Sequence, residues 1–268
     1  MKTLLFWLLA IIITLSAAVY QRTTGPTYEK RIAFTYNEVE HKLELLRSHS
    51  TSQPAPVRVE ISNFNVIGNL YYKKYPTADD FTKVELVRVN DVLEGVLPNQ
   101  PPAGKLEYFI SLYDVNNDNM IFETEHIIIR FKGDVPSAVL TPHIFFMFFA
   151  MLLSNLSGIL ALAKREKYKL YGIITLIFLT LGGMILGPVV QKLAFGDLWT
   201  GIPFGWDLTD NKTLVAFIFW VVAVFGNWKK DRPYLTIIAA IVMLIIFSIP
   251  HSAFGSELDY SSGTIGQG

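Results

Sequence analysis

The sequence predicts a membrane α-helical bundle of five transmembrane helices, the first an N-terminal anchor, joined to an all-β sandwich domain. Three observations carry that fold class. Half of the 268 residues are apolar and 13% are aromatic, a balance that soluble chains of this length rarely show. The apolar residues gather in five runs, 4–19, 143–163, 170–190, 213–228 and 234–250. Between the first two runs, residues 20–138 carry short alternating stretches with little helical period.

The first element, residues 1–19, begins with Lys2 before its apolar run and reads as an anchor or signal anchor. A signal peptide cut near Ala17 or Ala18 is the competing reading. The anchor is preferred because the run continues to Val19 and no clean A-x-A pattern precedes a cut site.

Residues 20–138 read as the sandwich, with strands expected at 31–36, 39–46, 57–62, 66–72, 83–89, 92–97, 106–113 and 121–131. Strands at such spacing fit a two-layered β domain. In Val57-Arg58-Val59-Glu60-Ile61 branched apolar residues alternate with charges, as a strand with one buried and one wet face requires. Polar or proline-rich turns are expected at 99–104 and 116–119. Residues 114–119 lack the glycine and terminal glutamate of a calcium loop, so a hairpin turn is preferred there. His41, His49 and His126 read as ordinary strand or surface residues.

Residues 139–250 read as a four-helix membrane bundle, since a helix of about 20 apolar residues crosses a hydrocarbon core roughly 30 Å thick. The last two runs are short, which sets the capping residues Asp210, Lys212 and His251 at the interface or slightly inside it. Gly183-Met184-Ile185-Leu186-Gly187 permits close helix packing, within the bundle or between copies. Asn155 is expected to bond a neighbouring helix.

Lys164, Arg165, Lys167 and Lys169 lie between the second and third runs, and Lys229, Lys230 and Arg232 between the fourth and fifth. Positive loops stay in the cytoplasm. By parity the sandwich, the loop 191–212 and the tail 251–268 face the opposite compartment. The ionisable groups beside the helices then converge on one side: His143, Lys192, Asp207, Asp210, Lys212, His251, Glu257 and Asp259, together with Gln191. Membrane-embedded charges pair or work, so Lys212 is expected to meet Asp207, Asp210, Glu257 or Asp259. Asp210 also suits a helix N-terminus.

The chemistry of this rim stays open between readings. Trp199 and Trp206 serve either as interfacial belt aromatics or as cover for an apolar cofactor. His143 and His251, each beside a proline at the outer end of a helix, have the ligand type that holds haem b or a His/carboxylate-bound metal. The absence of cysteine excludes disulfides, thiolate metal sites and covalently attached haem. Zero net charge and the absence of a basic, aromatic-interleaved patch argue against nucleic acid as a partner.

Residues 93–113, including Pro101-Pro102-Ala103-Gly104-Lys105-Leu106-Glu107-Tyr108, resemble the late strands of fibronectin type III and other immunoglobulin-like domains. That resemblance implies a domain that binds, orients or spaces other molecules and leaves the choice among those roles open. The arrangement of helices and external loop resembles the haem-handling proteins of cytochrome c assembly, whose tryptophan-rich loop ends in Trp-Asp. The matching residues are Gly196, Trp199, Trp206 and Asp207, with His143 and His251 in the ligand positions. Residues 201–204 separate two halves that are compact in that family, and its denser tryptophan run is missing.

Over most of its length the chain resembles a family of uncharacterised bacterial inner-membrane proteins. The carrying stretches are Thr24-Gly25-Pro26-Thr27-Tyr28, Gly187-Pro188 with Gln191-Lys192, Asp207-Leu208-Thr209-Asp210-Asn211-Lys212-Thr213, and Pro250-His251-Ser252 followed by Gly255-Ser256-Glu257-Leu258-Asp259-Tyr260. This resemblance implies a lipid bilayer environment with residues 20–138 and the C-terminus in the periplasm. Three functional classes follow: haem or metal handling at the rim, a non-catalytic assembly factor whose sandwich docks a periplasmic partner, and a membrane enzyme pairing Asp207 or Asp210 with His251.

Overall fold

The computed structural model describes residues 2–116, 119–250 and 255–267. The chain forms two compact units. The helical unit comprises Met1–Pro26, Val135–Ser256 and Gly266–Gly268; the β unit comprises Thr27–Asp134 and Glu257–Ile265. The tail, expected as a separate element, is therefore a second contribution to the β unit.

In the β unit, β1 (Lys30–Tyr36) and β2 (Val39–Leu45) form an antiparallel ribbon in which Tyr36 faces Val39. The two loop residues, Asn37 and Glu38, both have positive φ, the backbone geometry whose twist matches a tight hairpin. β3 (Ser48–Ser50), β5 (Val66–Tyr75), β6 (Thr82–Glu85), β9 (Lys105–Asp114) and β11 (Ile127–Lys132) make a sheet ordered β3-β11-β9-β5-β6, and β10 (Asn119–Glu123) also pairs with β9. A second sheet runs β4 (Ala55–Glu60), β8 (Val92–Leu97), β7 (Val87–Val89).

One apolar core serves both sheets: Val57, Val59, Leu93 and Leu97 from the smaller, Leu70, Leu106, Ile110, Ile129 and Phe131 from the larger. Alternation explains why these side chains meet, since in β4 every second residue is buried while Pro56, Arg58 and Glu60 stay exposed. Leu70 and Ile110 are fully enclosed, and truncating either to alanine would cost about 2–5 kcal/mol.

Two expected strands are each divided. Residues 83–89 split at Leu86, which is buried and donates its N–H to the Gly68 carbonyl at 2.8 Å while its side chain crosses between the sheets. Gly68 and Gly95 leave the room: a Cβ on either would stand 2.8 Å or less from Leu86 methyl carbons. Residues 121–131 split at Thr124, whose hydroxyl accepts the Ile110 N–H at 3.0 Å in place of a ladder bond. The polar strand β3 was not anticipated. β9 and β10 pair with Asp114 opposite Asn119, as a hairpin demands; Asn117 and Asp118 lie outside the described residues.

The tail adds the short pair β12 (Ser256–Leu258) and β13 (Ile265–Gln267). Leu258 donates its N–H to the Ala103 carbonyl, the Tyr260 hydroxyl donates to the Lys105 carbonyl at 2.9 Å, and Glu257 forms an ion pair with Lys105.

In the helical unit, α1 (Lys2–Thr23) and α2 (Ser137–Leu162) pack together. α3 (Tyr168–Leu179) continues through a π-helical segment, Thr180–Leu186, into α4 (Gly187–Phe195). α5 (Leu208–Gly226) and α6 (Pro233–Ser248) complete the unit. Among the described residues four helices are long and apolar enough to cross a membrane: Thr3–Thr23, Ser137–Leu162, Tyr168–Phe195 and Leu208–Gly226. The expected fifth is shorter. α6 has 16 residues, about 24 Å at the helical rise of about 1.5 Å per residue.

Small residues bring the helices close. A Cβ on Gly158 of α2 would lie 2.7 Å from Ala240 of α6, and one on Gly183 would lie 2.8 Å from Thr213 of α5. The Gly183–Gly187 pattern thus serves packing within this unit. Asn155 donates to the Thr14 hydroxyl on α1 at 2.9 Å, and Ser157 donates to the Tyr168 carbonyl at 2.7 Å.

Candidate functional site

The strongest polar feature of the helical unit is built around the N-terminus of α5. Asp207 is the N-cap: its Oδ1 accepts the Thr209 N–H at 2.7 Å and the Asp210 N–H at 3.2 Å. Those amides have no partner within the helix, which is why an aspartate belongs there. Its other oxygen accepts the Ser256 hydroxyl at 3.2 Å. One turn on, Asp210 Oδ2 accepts the Thr200 N–H at 2.7 Å and its hydroxyl at 3.2 Å. Asn211 Oδ1 accepts the Ile202 N–H at 2.7 Å. Gln191 from α4 donates to the hydroxyls of Thr200 and Ser256 at 3.1 and 3.0 Å.

The result is a clasp. Asp210 and Asn211 of the Asp-x-x-Asp-Asn stretch hold the backbone N–H groups of Thr200 and Ile202, and the Asp207 N–H closes onto the Thr200 carbonyl at 3.1 Å. Gly201 is required, because a Cβ there would stand 2.8 Å from both Asp210 and Asn211. With the polar groups turned inward, the loop presents its apolar side chains outward: Leu198 and Ile202 are exposed, Phe204 is 82% exposed and Trp206 71%.

Lys212 is 4% exposed and donates to the Ile249 carbonyl at 2.9 Å. Among the described residues it forms no direct ion pair; of the acids expected to meet it, Asp207 acts on it through space. Positions two and five apart point to different faces of a helix, and the oxygens of Asp207 and Asp210 are taken by amides and hydroxyls. Gln21 of α1 donates to the same Ile249 carbonyl at 3.2 Å and to that of Phe247 at 2.6 Å. Two carbonyls at the end of α6, those of Phe247 and Ile249, are therefore met by side chains from α1 and α5.

Of the expected cluster, the structure joins Gln191, Asp207 and Asp210 and sets Lys212 close by. It leaves out Lys192, which is exposed, and the two tail acids, which belong to the β unit. Glu257 pairs with Lys105 there. Asp259 caps its own turn, its carboxyl held down at about 2 by hydrogen bonds from Ser261 and Ser262. Burial lowers the Lys105 ammonium, with Glu257 opposing that effect, and burial pushes the Tyr260 hydroxyl up to about 12.

His143 donates from Nδ1 to the Gly182 carbonyl at 2.9 Å. That carbonyl lies in the π-helical segment and also receives the Gly187 N–H, so the imidazole fastens α2 to a place where the helix is widened. Trp199 donates to the Ile202 carbonyl at 3.0 Å. Among the described residues no hydrogen bond or ring contact joins His143 to Trp199, Trp206 or Asp207, and no three His, Asp or Glu side chains converge as a metal site. His251 lies outside the described residues. Thr200, Ser256 and Gln21 are cluster members that the sequence reading missed. Only the run of capping residues at 207–211 signals the clasp, and nothing local marks its hydroxyl partners.

No protein-family model matches this chain, and no curated protein gives a significant match to it.

Proposed function

We propose that this chain is a bacterial inner-membrane accessory or assembly factor. In this reading the helical unit spans the bilayer five times, and the β unit is a periplasmic sandwich that docks a protein partner. The carrying observation is the use to which the buried acids are put: Asp207 and Asp210 are engaged with backbone amides and hydroxyls that fix a loop. Groups so engaged hold structure in place.

Two further observations support the reading. The outward Phe204 and Trp206 fit the interfacial level of a bilayer. On the β unit, Tyr71, Phe109 and His126 stack with centroids 4.7 Å apart at each step, Phe81 stands edge-on to Phe109 and His126, and Lys73 lies over Phe81. Glu107 bonds His126 at 2.7 Å and pairs with Lys73 at 3.5 Å. Rigid aromatics already stacked lose little entropy on meeting a partner.

Haem or metal handling is the second reading, favoured by one detail: the Nδ1 bond of His143 orients the ring and leaves Nε2 as the ligand nitrogen. The visible spectrum and metal content of the detergent-purified protein separate the two. The accessory reading expects a colourless, metal-free, folded protein. A Soret band or stoichiometric metal that His143→Ala removes would overturn it. The topology is checked by a reporter fused after Lys230, expected cytoplasmic, and one after Ser256, expected periplasmic.

A further inference from the structure

The loop between α2 and α3 closes over a groove of about 460 Å³ whose wall includes Phe6 and Trp7 of α1 and Leu156 and Leu160 of α2. Its rim is charged: Lys164, Arg165 and Lys167 line it, all exposed, with Glu166 the single acid beside them. Among the described residues none of these three cations forms an ion pair. Lys169, two positions on, does so with Asp231. The turn that carries them is fixed by backbone bonds, Lys164 N–H to the Ala161 carbonyl at 3.1 Å and Arg165 N–H to that of Leu160 at 2.9 Å. Lys164 holds a positive φ of 52°, a conformation that glycine or asparagine adopts at lower cost.

We infer that this groove binds an anionic phospholipid, with the phosphate at the Lys164/Arg165/Lys167 rim and acyl chain against the half-buried Phe6 and Trp7, over a base of buried Leu156 and Leu160. Each half of the groove matches one half of such a molecule. A guanidinium grips phosphate oxygens in a planar, two-point fashion, and lysines add compact positive charge. The edge-on packing of Trp7 against Tyr171, centroids 5.7 Å apart, gives the floor a fixed aromatic wall. Three cations against one carboxylate leave the rim net positive, which favours an anionic over a zwitterionic headgroup. Basic pockets between membrane helices on the cytoplasmic side recognise lipids in this way. The other basic turn, Lys229, Lys230 and Arg232, borders a cavity walled only by the end of α5 and the residues after it, so it lacks the floor that three helices give here.

This inference rests on the membrane placement proposed above, and the test separates the two. The full-length protein in detergent is titrated with phosphatidylglycerol, phosphatidylcholine or inorganic phosphate; bound lipid is counted by native mass spectrometry, and unfolding temperature is followed in parallel. Phosphatidylglycerol is expected to bind and to raise the unfolding temperature, and the other two probes are not. Neutralising each cation should lower the preference for the anionic lipid about five-fold. The Lys164→Gln/Arg165→Gln/Lys167→Gln variant should therefore lose it, while Lys229→Gln/Lys230→Gln keeps it.

Equal binding of both lipids, or retention by the triple variant, overturns the inference. So does equal loss in the Lys229/Lys230 control, which would make the effect one of diffuse charge. Stabilisation by phosphate alone would mark a free-anion site instead of a lipid site. Should the triple variant fail to fold, Arg165→Gln alone is read by the same five-fold criterion. A reporter after Lys230 that scores as periplasmic would break the topology and leave the binding measurement standing.

Discussion

The two units bury charge in opposite ways. In the β unit, Lys105 and Glu257 meet directly across 152 residues of chain. In the helical unit, Asp207 and Asp210 serve amides and hydroxyls, and Lys212 serves a carbonyl. Direct pairing makes each partner depend on the other, because a lone buried charge is more costly than a neutral side chain. Distributed bonding spreads the load over backbone groups that need partners in any case.

The comparison breaks first at Glu257. Glu257→Gln should leave the Lys105 ammonium largely buried without a countercharge and lower stability by about 2–3 kcal/mol, measured by chemical unfolding of the full-length protein. A cost below a few tenths would mean that the pair contributes little. Asp207→Ala comes next, with an expected loss of about 1–2 kcal/mol from the uncapped helix end. Asp207→Asn keeps an acceptor oxygen and should cost less than half as much, measured by the same chemical unfolding. If the two variants are equally destabilised, charge and not capping is what the site needs.

Smaller still is the effect of Asn155→Leu, which removes the bond to Thr14 between α2 and α1. Interhelical hydrogen bonds of this kind average about 0.6 kcal/mol in membranes, and an unfolding assay in detergent should show a loss of that order. The smallest effect concerns pH. The Asp259 carboxyl is held at about 2 against an ordinary 3.8, so its stabilising bonds are complete above pH 4 and vanish as pH falls through about 2. Amide resonances of Ser261 and Ser262 should follow that midpoint; a midpoint near 4 would show the turn open in solution.

Legibility in the sequence follows the same divide. Alternation along β4 and the unbroken apolar runs are local patterns, and they locate most strands and the five long apolar stretches, but residues 191–195, expected in the loop, belong to α4. A capped start to α5 is legible in the sequence, but the expected cap, Asp210, is not the one used: Asp207 caps the helix through bonds that reach two and three residues ahead, and Asp210 turns to Thr200 instead. Features set by distant partners were not. The break at Leu86 depends on the space left by Gly68 and Gly95, and the membership of Thr200 and Ser256 in the clasp depends on where α4 and the tail bring them. β3 is three polar residues, Ser48–Ser50, with no apolar period to reveal it. The carbonyl that takes the Lys212 ammonium is equally hidden, since Ile249 lies 37 residues further on.

The return of Glu257–Ile265 to the β unit also sets an order of events during synthesis. Residues 135–256 must leave the ribosome after the body of the β unit has been made, an interval of about 6–25 s at roughly 5–20 residues per second. Through that time the Lys105 ammonium and the Ala103 carbonyl lack the partners they will keep. The β unit thus carries a vacant seat that only residues 257–265 can fill, and its completion reports that every helix before them has been made.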